Sequence, residues 1–158
     1  LVLFRYEFPV DRLIQAPKYG HLLLLAAWSA AGLARHLNAA DHDLVLPLPL
    51  HPSRLRTRGF NQSLEIARPI ARALGVPMDP TLLSRTRATP PQAELPFKER
   101  GGNVRGAFAC AGDLAGRRAL LVDDVMTTGS TLREAARILK LHGAGPVTVA
   151  VAARALRR

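Results

Sequence analysis

A chain of 158 residues, 48% of them hydrophobic and 22% charged, holds enough apolar material for one packed domain and too much for a disordered tail. A net charge of +10 and a pI near 11.3 favour anionic partners, pyrophosphate-bearing molecules and nucleic acid alike, without choosing between them. The lone cysteine, Cys110, excludes an internal disulfide and any zinc site built from several cysteines of this chain.

In chain order, Leu1 to Val10 reads as an edge segment; it carries Arg5, Glu7 and Asp11 and lacks a secretory apolar core with a cleavage site, so export is not expected. The apolar stretch Leu22 to Ala34 is broken by Trp28-Ser29 and Gly32 and is shorter than the ~20 residues of a membrane span, so it predicts a buried helix over 21–37 rather than membrane insertion. A strand follows at Asp43 to Leu48, running into Pro47-Leu48-Pro49-Leu50, where two prolines remove ladder donors and force an extended exit. Arg54, Arg56 and Arg58 come next; a guanidinium can hold pyrophosphate oxygens bidentately, and a solvated basic loop is the plainer alternative.

Asn61 to Leu74 reads as a helix in which Asn61 caps free N–H groups and Pro69 removes one internal bond, predicting a kink. A Pro/Arg-rich connection runs from Pro80 to Arg105; from Ser84 on it is too polar and broken for a buried element, and a loop of that length is functional or mobile, a merely disordered excursion being the plainer alternative. A strand is expected at Gly106 to Cys110, and a last one at Val147 to Ala152. Strands alternating with helices give the fold class α/β, a twisted parallel sheet flanked by helices, in a single domain over 1–158.

The most informative stretch is Ala119 to Thr131. Ala119 to Val122 is a short apolar run suited to a strand covered on both faces, whose carboxyl end opens onto a ligand crevice. After it stand Asp123 and Asp124, then Thr127, Thr128, Gly129, Ser130 and Thr131, small or hydroxylated residues whose backbone N–H groups can converge on an anion. Leu132, Ala135, Ala136 and Leu139 have helical spacing, with Gly143 as a stop. A turn ending at a helix N-terminus stabilises a phosphate monoester without any lysine. The carboxylates repel phosphate, so their partners are hydroxyls a few ångströms away. The plainer alternative is an acid pair that ends a strand and a turn that caps a helix. Neither G-x-x-x-x-G-K-[ST] nor G-x-G-x-x-G occurs.

Leu121 to Thr131 resembles the phosphoribosyl pyrophosphate (PRPP) signature of type I phosphoribosyltransferases. Upstream, Pro47-Leu48-Pro49-Leu50-His51-Pro52-Ser53-Arg54 with Arg58-Gly59-Phe60-Asn61-Gln62 is similar to the ComF family of competence-associated proteins, also called the GntX type, and less closely to amidophosphoribosyltransferases. Arg85-Thr86-Arg87, Gln92, Arg100, Asn103 and Phe108 fit the same pattern.

The resemblance implies PRPP and Mg²⁺ bound at the carboxyl ends of the strands, the Mg²⁺ held through PRPP and water with no direct protein ligand. It implies Asp123 and Asp124 on the ribose hydroxyls, Thr127, Thr128, Gly129, Ser130 and Thr131 around the 5′-phosphate, and Leu48, Pro49, Arg54 and Arg58 on the pyrophosphate. Asp123, Asp124 and Arg87 would be the catalytic set, and residues 84–105 a loop closing over PRPP. The implied activity is phosphoribosyl transfer to an acceptor that the motifs do not name, in the cytoplasm and in association with competence and DNA utilisation. The alternative is a non-catalytic PRPP-fold module docking to DNA-uptake machinery. A competence helicase-type protein is the implied partner, and direct nucleic-acid binding stays open, with no recognisable nucleic-acid module and 5% aromatic residues to stack on bases. Family members usually begin with a cysteine-rich zinc ribbon that these residues lack, so either the module was lost or the sequence is a fragment.

Overall fold

The computed structural model describes residues 1–15, 19–88 and 104–155. Four parallel strands, β1 (Val2–Arg5), β2 (Leu44–Pro47), β5 (Ala119–Met126) and β6 (Val147–Arg154), form a sheet in the order β1-β6-β5-β2. A separate antiparallel hairpin pairs β3 (Leu83–Arg85) with β4 (Phe108–Cys110). The helices are α1 (Val10–Gln15), α2 (Tyr19–Ala34), α3 (Pro52–Arg58), α4 (Gln62–Leu74) and α5 (Ser130–Leu141).

The period-2 alternation of β5 divides the core in two. Ala119 and Leu121, with Leu44, Leu46 and Val151, pack on Leu132, Ala135 and Leu139 of α5 and on Leu83 and Phe108 of the hairpin. Leu120 and Val122, with Val45, Ala150 and Ala152, pack on Ala26, Ala30 and Leu33 of α2 and on Ile66, Ala67 and Ile70 of α4. Both faces of β5 are therefore covered, which is why its apolar run is continuous rather than alternating. Helix α2 is buried on one side only: Leu24 and Trp28 are exposed, and the Trp28 ring stacks on Phe4 at 4.4 Å between centroids.

Three local outcomes differ from the sequence reading. First, β5 does not stop at Val122 but runs through Asp123 and Asp124 to Met126, because β6 keeps pairing with it (Asp123↔Val151, Val125↔Ala153, Met126↔Arg154) after β2 has ended. Second, Pro52–Arg58 is a helix rather than a basic loop. Pro52 occupies its first turn, His51 Nδ1 accepts from Ser53 N–H, and Gly59 closes it in the left-handed region at φ 78°. Third, Leu83–Arg85 lies within the connection read as irregular, yet it pairs with β4 and turns Leu83 and Arg85 inward, Ser84 outward.

Pro47 fits its strand without losing a ladder bond. Val45 N–H, two residues earlier and so on the same side, points away from β5 to Pro77 O, while Leu48 N–H bonds Val122 O at 2.8 Å. Helix α4 continues through Pro69 to Leu74. Gln92, Arg100, Asn103 and most of the expected closing loop lie outside the described residues. No helix among the described residues is long and apolar enough to cross a membrane.

Candidate functional site

The carboxyl end of β5 delivers the acid pair, and because successive strand residues face opposite sides, the two carboxylates part company. Asp123 is buried on the face shared with the hairpin and α5. Its Oδ1 accepts from Ser63 Oγ–H at 2.8 Å and from Asp124 N–H at 2.9 Å. Burial first, and the neighbouring Asp124 charge second, push its pKa well above the ordinary carboxylate value, with the Ser63 hydrogen bond opposing them. Asp124 is less buried; its Oδ1 accepts from Val125 N–H at 2.7 Å. It borders a cavity of about 20 Å³ with Ser29, Gln62, Ile66 and Ala152, on the α2 and α4 side. The two acids thus straddle the end of one strand.

The chain then turns through Thr127 and Thr128 into Gly129, which at φ 75° occupies a region that a Cβ would strain, and α5 starts at once. No side chain caps that start through Gly129, and no acidic residue occupies the first turn. Thr128 Oγ1 accepts from Ser130 N–H at 3.3 Å and shares a hydrogen bond with Ser130 Oγ at 2.8 Å. Thr127 through Thr131 are all partly accessible, so the turn and its first-turn amides lie within reach of solvent at the positive end of a 12-residue helix, where an anion is stabilised.

The loop after β2 closes the opposite wall. Leu48 is buried, its carbonyl accepts from Asn61 Nδ2 at 3.0 Å, and Asn61 Oδ1 accepts from Ser63 N–H at 3.1 Å. Asn61 is therefore the cap of α4, as its sequence position suggests, and also the tie that fixes the Leu48–Pro49 bend. Through Ser63 the same helix end holds Asp123, so one α4 N-terminus sets the distance between loop and acid. Arg54 lies in the first half of α3; Arg58, at its end, donates to Gln62 Oε1 at 3.0 Å.

The hairpin approaches from the α5 side. Arg87 is exposed and donates to Arg105 O at 2.8 Å, whereas Arg85 is buried with its guanidinium 5.5 Å above the Phe108 ring. Glu134 of α5 accepts from Gly106 N–H and from Arg137, tying α5 to the foot of β4. The Arg137 hydrogen bonds hold the Glu134 pKa down to about 2.

Residues 61–158 match the phosphoribosyl transferase domain family. Competence protein F of Haemophilus influenzae is 32% identical over 169 residues, covering 98% of this chain and 72% of the relative. The chain belongs to the phosphoribosyltransferase family, in its ComF-like, type I branch. The DNA utilization protein YhgH of Salmonella typhi is 35% identical over 151 residues, 91% of this chain and 66% of the relative. Its Escherichia coli O157:H7 counterpart is 40% identical over 107 residues, 68% of this chain but 47% of the relative, so the chain spans about half the length of some curated relatives it matches. Among solved structures, the purine phosphoribosyltransferase of Pyrococcus horikoshii superposes with a TM-score of 0.53 at 21% identity, over 81% of this chain and 71% of that one. The glutamine PRPP amidotransferase of B. subtilis gives 0.54 at 22%, over 83% and 26%. At those identities they show the phosphoribosyltransferase fold and no more.

In this phosphoribosyltransferase fold the residues singled out from sequence gather at one end of the sheet. Asp123, Asp124, the Thr127–Thr131 turn, Leu48, Pro49 and Arg54 are set by β5, α5, β2 and α3; Arg58 turns to Gln62 and Arg87 to the hairpin's exposed side. Sequence reasoning placed Gln62 and Ser63 at a helix start and Arg85 in the family pattern, and gave none of the three a contact in the site; for Ser63 no local signal existed, because its partner is 60 residues away.

Proposed function

We propose that this chain binds Mg²⁺-PRPP at the carboxyl end of β5 and transfers its phosphoribosyl group to an acceptor nucleophile. The observation that carries this reading is one continuous unit: a buried Asp123 tied through Ser63 and Asn61 to the Leu48 carbonyl, its neighbour Asp124, and the glycine turn that opens α5 at the end of the same strand.

The bond from the anomeric carbon to the pyrophosphate oxygen breaks, its electron pair leaves with pyrophosphate, and the acceptor's lone pair bonds to the opposite face of that carbon. The enzyme's task is to hold a developing cation and a leaving anion apart from water. Asp123 and Asp124 accept the ribose hydroxyls and place negative charge beside the sugar. The amides of the Thr127–Thr131 turn cradle the 5′-phosphate. Leu48, Pro49, Arg54 and Arg58 receive the pyrophosphate, and Arg87 joins them from the end of the hairpin.

The donor set suits Mg²⁺, since the acids offer hard oxygens. The two carboxylates face opposite sides of the strand, an arrangement fitted to outer contacts rather than a protein cage. When bound, the ion neutralises pyrophosphate charge. The relatives' names, DNA utilization protein and competence protein, support work in the same cellular context; a place in the cytoplasm beside a helicase-type partner of the DNA-uptake system belongs to the same proposal.

Titration calorimetry with PRPP and Mg²⁺ tests the ligand, and pyrophosphate release across candidate amines and bases tests turnover. The paired substitution Asp123→Asn with Asp124→Asn is expected to weaken PRPP binding at least as much as Arg58→Gln; normal binding by the double variant would remove the pocket from consideration. Binding without pyrophosphate release for any acceptor would favour a PRPP-sensing module instead.

A further inference from the structure

A cavity of about 300 Å³ opens beside the Leu48–Pro49 bend, at the outer edge of β2. It shares Pro49 with that bend, but neither Asp123, Asp124 nor the Thr127–Thr131 turn lines it, so it is separate from the site above. Leu55 of α3, Leu64 of α4 and Phe60 between them give it apolar walls, and Glu65 adds a carboxylate. A concavity of that size, mostly apolar with a few polar groups, is the common form of a small-molecule site.

The polar part of its wall leans to acceptors. Pro47, Pro49 and Pro80 bring no N–H to it. The amides of Leu55, Gly59, Leu64 and Glu65 are spent on His51 O, Leu55 O and Asn61 O within α3 and the start of α4. Asn61 is engaged at both ends, by Leu48 O and by Ser63 N–H. Two acceptors remain. The trans peptide after Pro47 sets its C=O opposite Leu48 N–H, which bonds Val122 O, so this carbonyl points away from β5 and accepts nothing from the described residues. Glu65, its side chain 13% exposed, accepts among the described residues only from Arg68, at 3.5 Å, and Arg68 is itself half in solvent.

An anion meets a carboxylate and few donors in this cavity, whereas a cation meets a largely buried negative charge with one weak partner. A half-exposed pair such as Arg68 with Glu65 is worth little, and a ligand that shields the carboxylate from water displaces it. The plainer role of Glu65, complementing the positive end of α4 from its first turn, gives the cavity no ligand. We propose that the cavity binds a small organic cation: a planar amidinium or guanidinium on an aromatic or hydrocarbon body that fills the space among Leu55, Phe60 and Leu64, with its forked head on the Glu65 carboxylate. The site does not depend on the PRPP reading.

The test is calorimetric titration of the full chain at low ionic strength with benzamidine and with benzamide, which has the same shape and no charge. Wild type should bind benzamidine at least about tenfold more tightly, the gain of a charge-assisted, bidentate contact over a neutral one. The net charge of +10 opposes any cation, so this preference has to come from a local acid. Glu65→Gln, isosteric and neutral, should bring the two probes within about threefold of each other. Arg68→Gln removes the competing cation and should tighten benzamidine by up to about threefold. Leu55→Trp, at a residue 42% exposed and so open to substitution, fills the cavity from its rim and should weaken both probes. These two variants keep the test readable if Glu65→Gln does not fold.

Equal affinity of the wild type for the two probes, or binding of neither, overturns the proposal. So does a preference for benzamidine that survives Glu65→Gln, since the cation then sits elsewhere. Benzamidine should still bind with Mg²⁺-PRPP in excess; competition between the two would put the cation in the cleft of Asp123 and Asp124 and overturn the proposal as well.

Discussion

Replacing Asp123 by Asn should stabilise the unliganded protein while impairing its ligand binding. Both hydrogen bonds to Asp123, from Ser63 Oγ–H and from Asp124 N–H, land on Oδ1, and an Asn carbonyl in that place keeps them. What disappears is a negative charge that is buried and faces a second carboxylate. Relief of such a group is worth about 1–3 kcal/mol at neutral pH, read as about 2–4 °C in Tm for each kcal/mol in a chain of this size. The sign follows from the raised folded-state pKa. The wild type's full stability from this group is present below the unfolded value, near pH 4, and is lost as pH rises through the higher folded value. The gain from Asn should therefore be largest at neutral pH and shrink toward about pH 4. Thermal melts across that range, each with and without Mg²⁺-PRPP, give both quantities at once. The ligand-induced rise in Tm should fall in the variant, since a charged acceptor for a ribose hydroxyl is lost. A variant less stable than wild type at neutral pH, or one with an undiminished ligand-induced shift, would refute the electrostatic account of this residue.

Three further outcomes are expected. Ser63→Ala removes a donor from the buried carboxylate and should cost about 1.5–3 kcal/mol in denaturant unfolding at neutral pH, a loss that shrinks as Asp123 takes up its proton. Gly129→Ala meets only the Met126 side chain, at 3.5 Å or more, so its cost is the left-handed backbone itself, about 1–2 kcal/mol; a larger effect on PRPP affinity than on stability would mark the turn as ligand-bearing, and equal effects would not. Glu134→Gln keeps an oxygen for Gly106 N–H but removes the charge and the second acceptor that hold Arg137. Its contribution is present above the unfolded carboxylate pKa and lost as pH falls through about 2, so chemical denaturation should show the variant weaker at neutral pH, by ~1 kcal/mol after screening, and the gap closing in acid.

The parts of this fold that were legible are those whose signal is local. Leu120 and Val122 turned to one core, Ala119 and Leu121 to the other, announce themselves as an unbroken apolar run, and Leu132, Ala135 and Leu139 repeat at helical spacing. The turn at Gly129 was readable because φ 75° and first-turn hydroxyls are chemical requirements written into residue types. What was not legible depends on partners distant in sequence. No composition rule carries β5 past two aspartates; β6 does so, by pairing with Asp123 and Val125 from Val151 and Ala153. Likewise Leu83-Ser84-Arg85 has too few residues to declare a strand, and only β4, more than twenty residues on, makes it one.

The same distinction orders the site. Residue types that bind phosphate and sugar were visible as a motif, but the division of labour between them was not. That division comes from parity along β5, which sends Asp123 toward the hairpin and Asp124 toward α2, and from parity along β3, which buries Arg85 and exposes Ser84. A one-residue slip in either strand would exchange those orientations without altering the motif, so register, rather than motif, decides which acid faces the hairpin and whether Arg85 is buried.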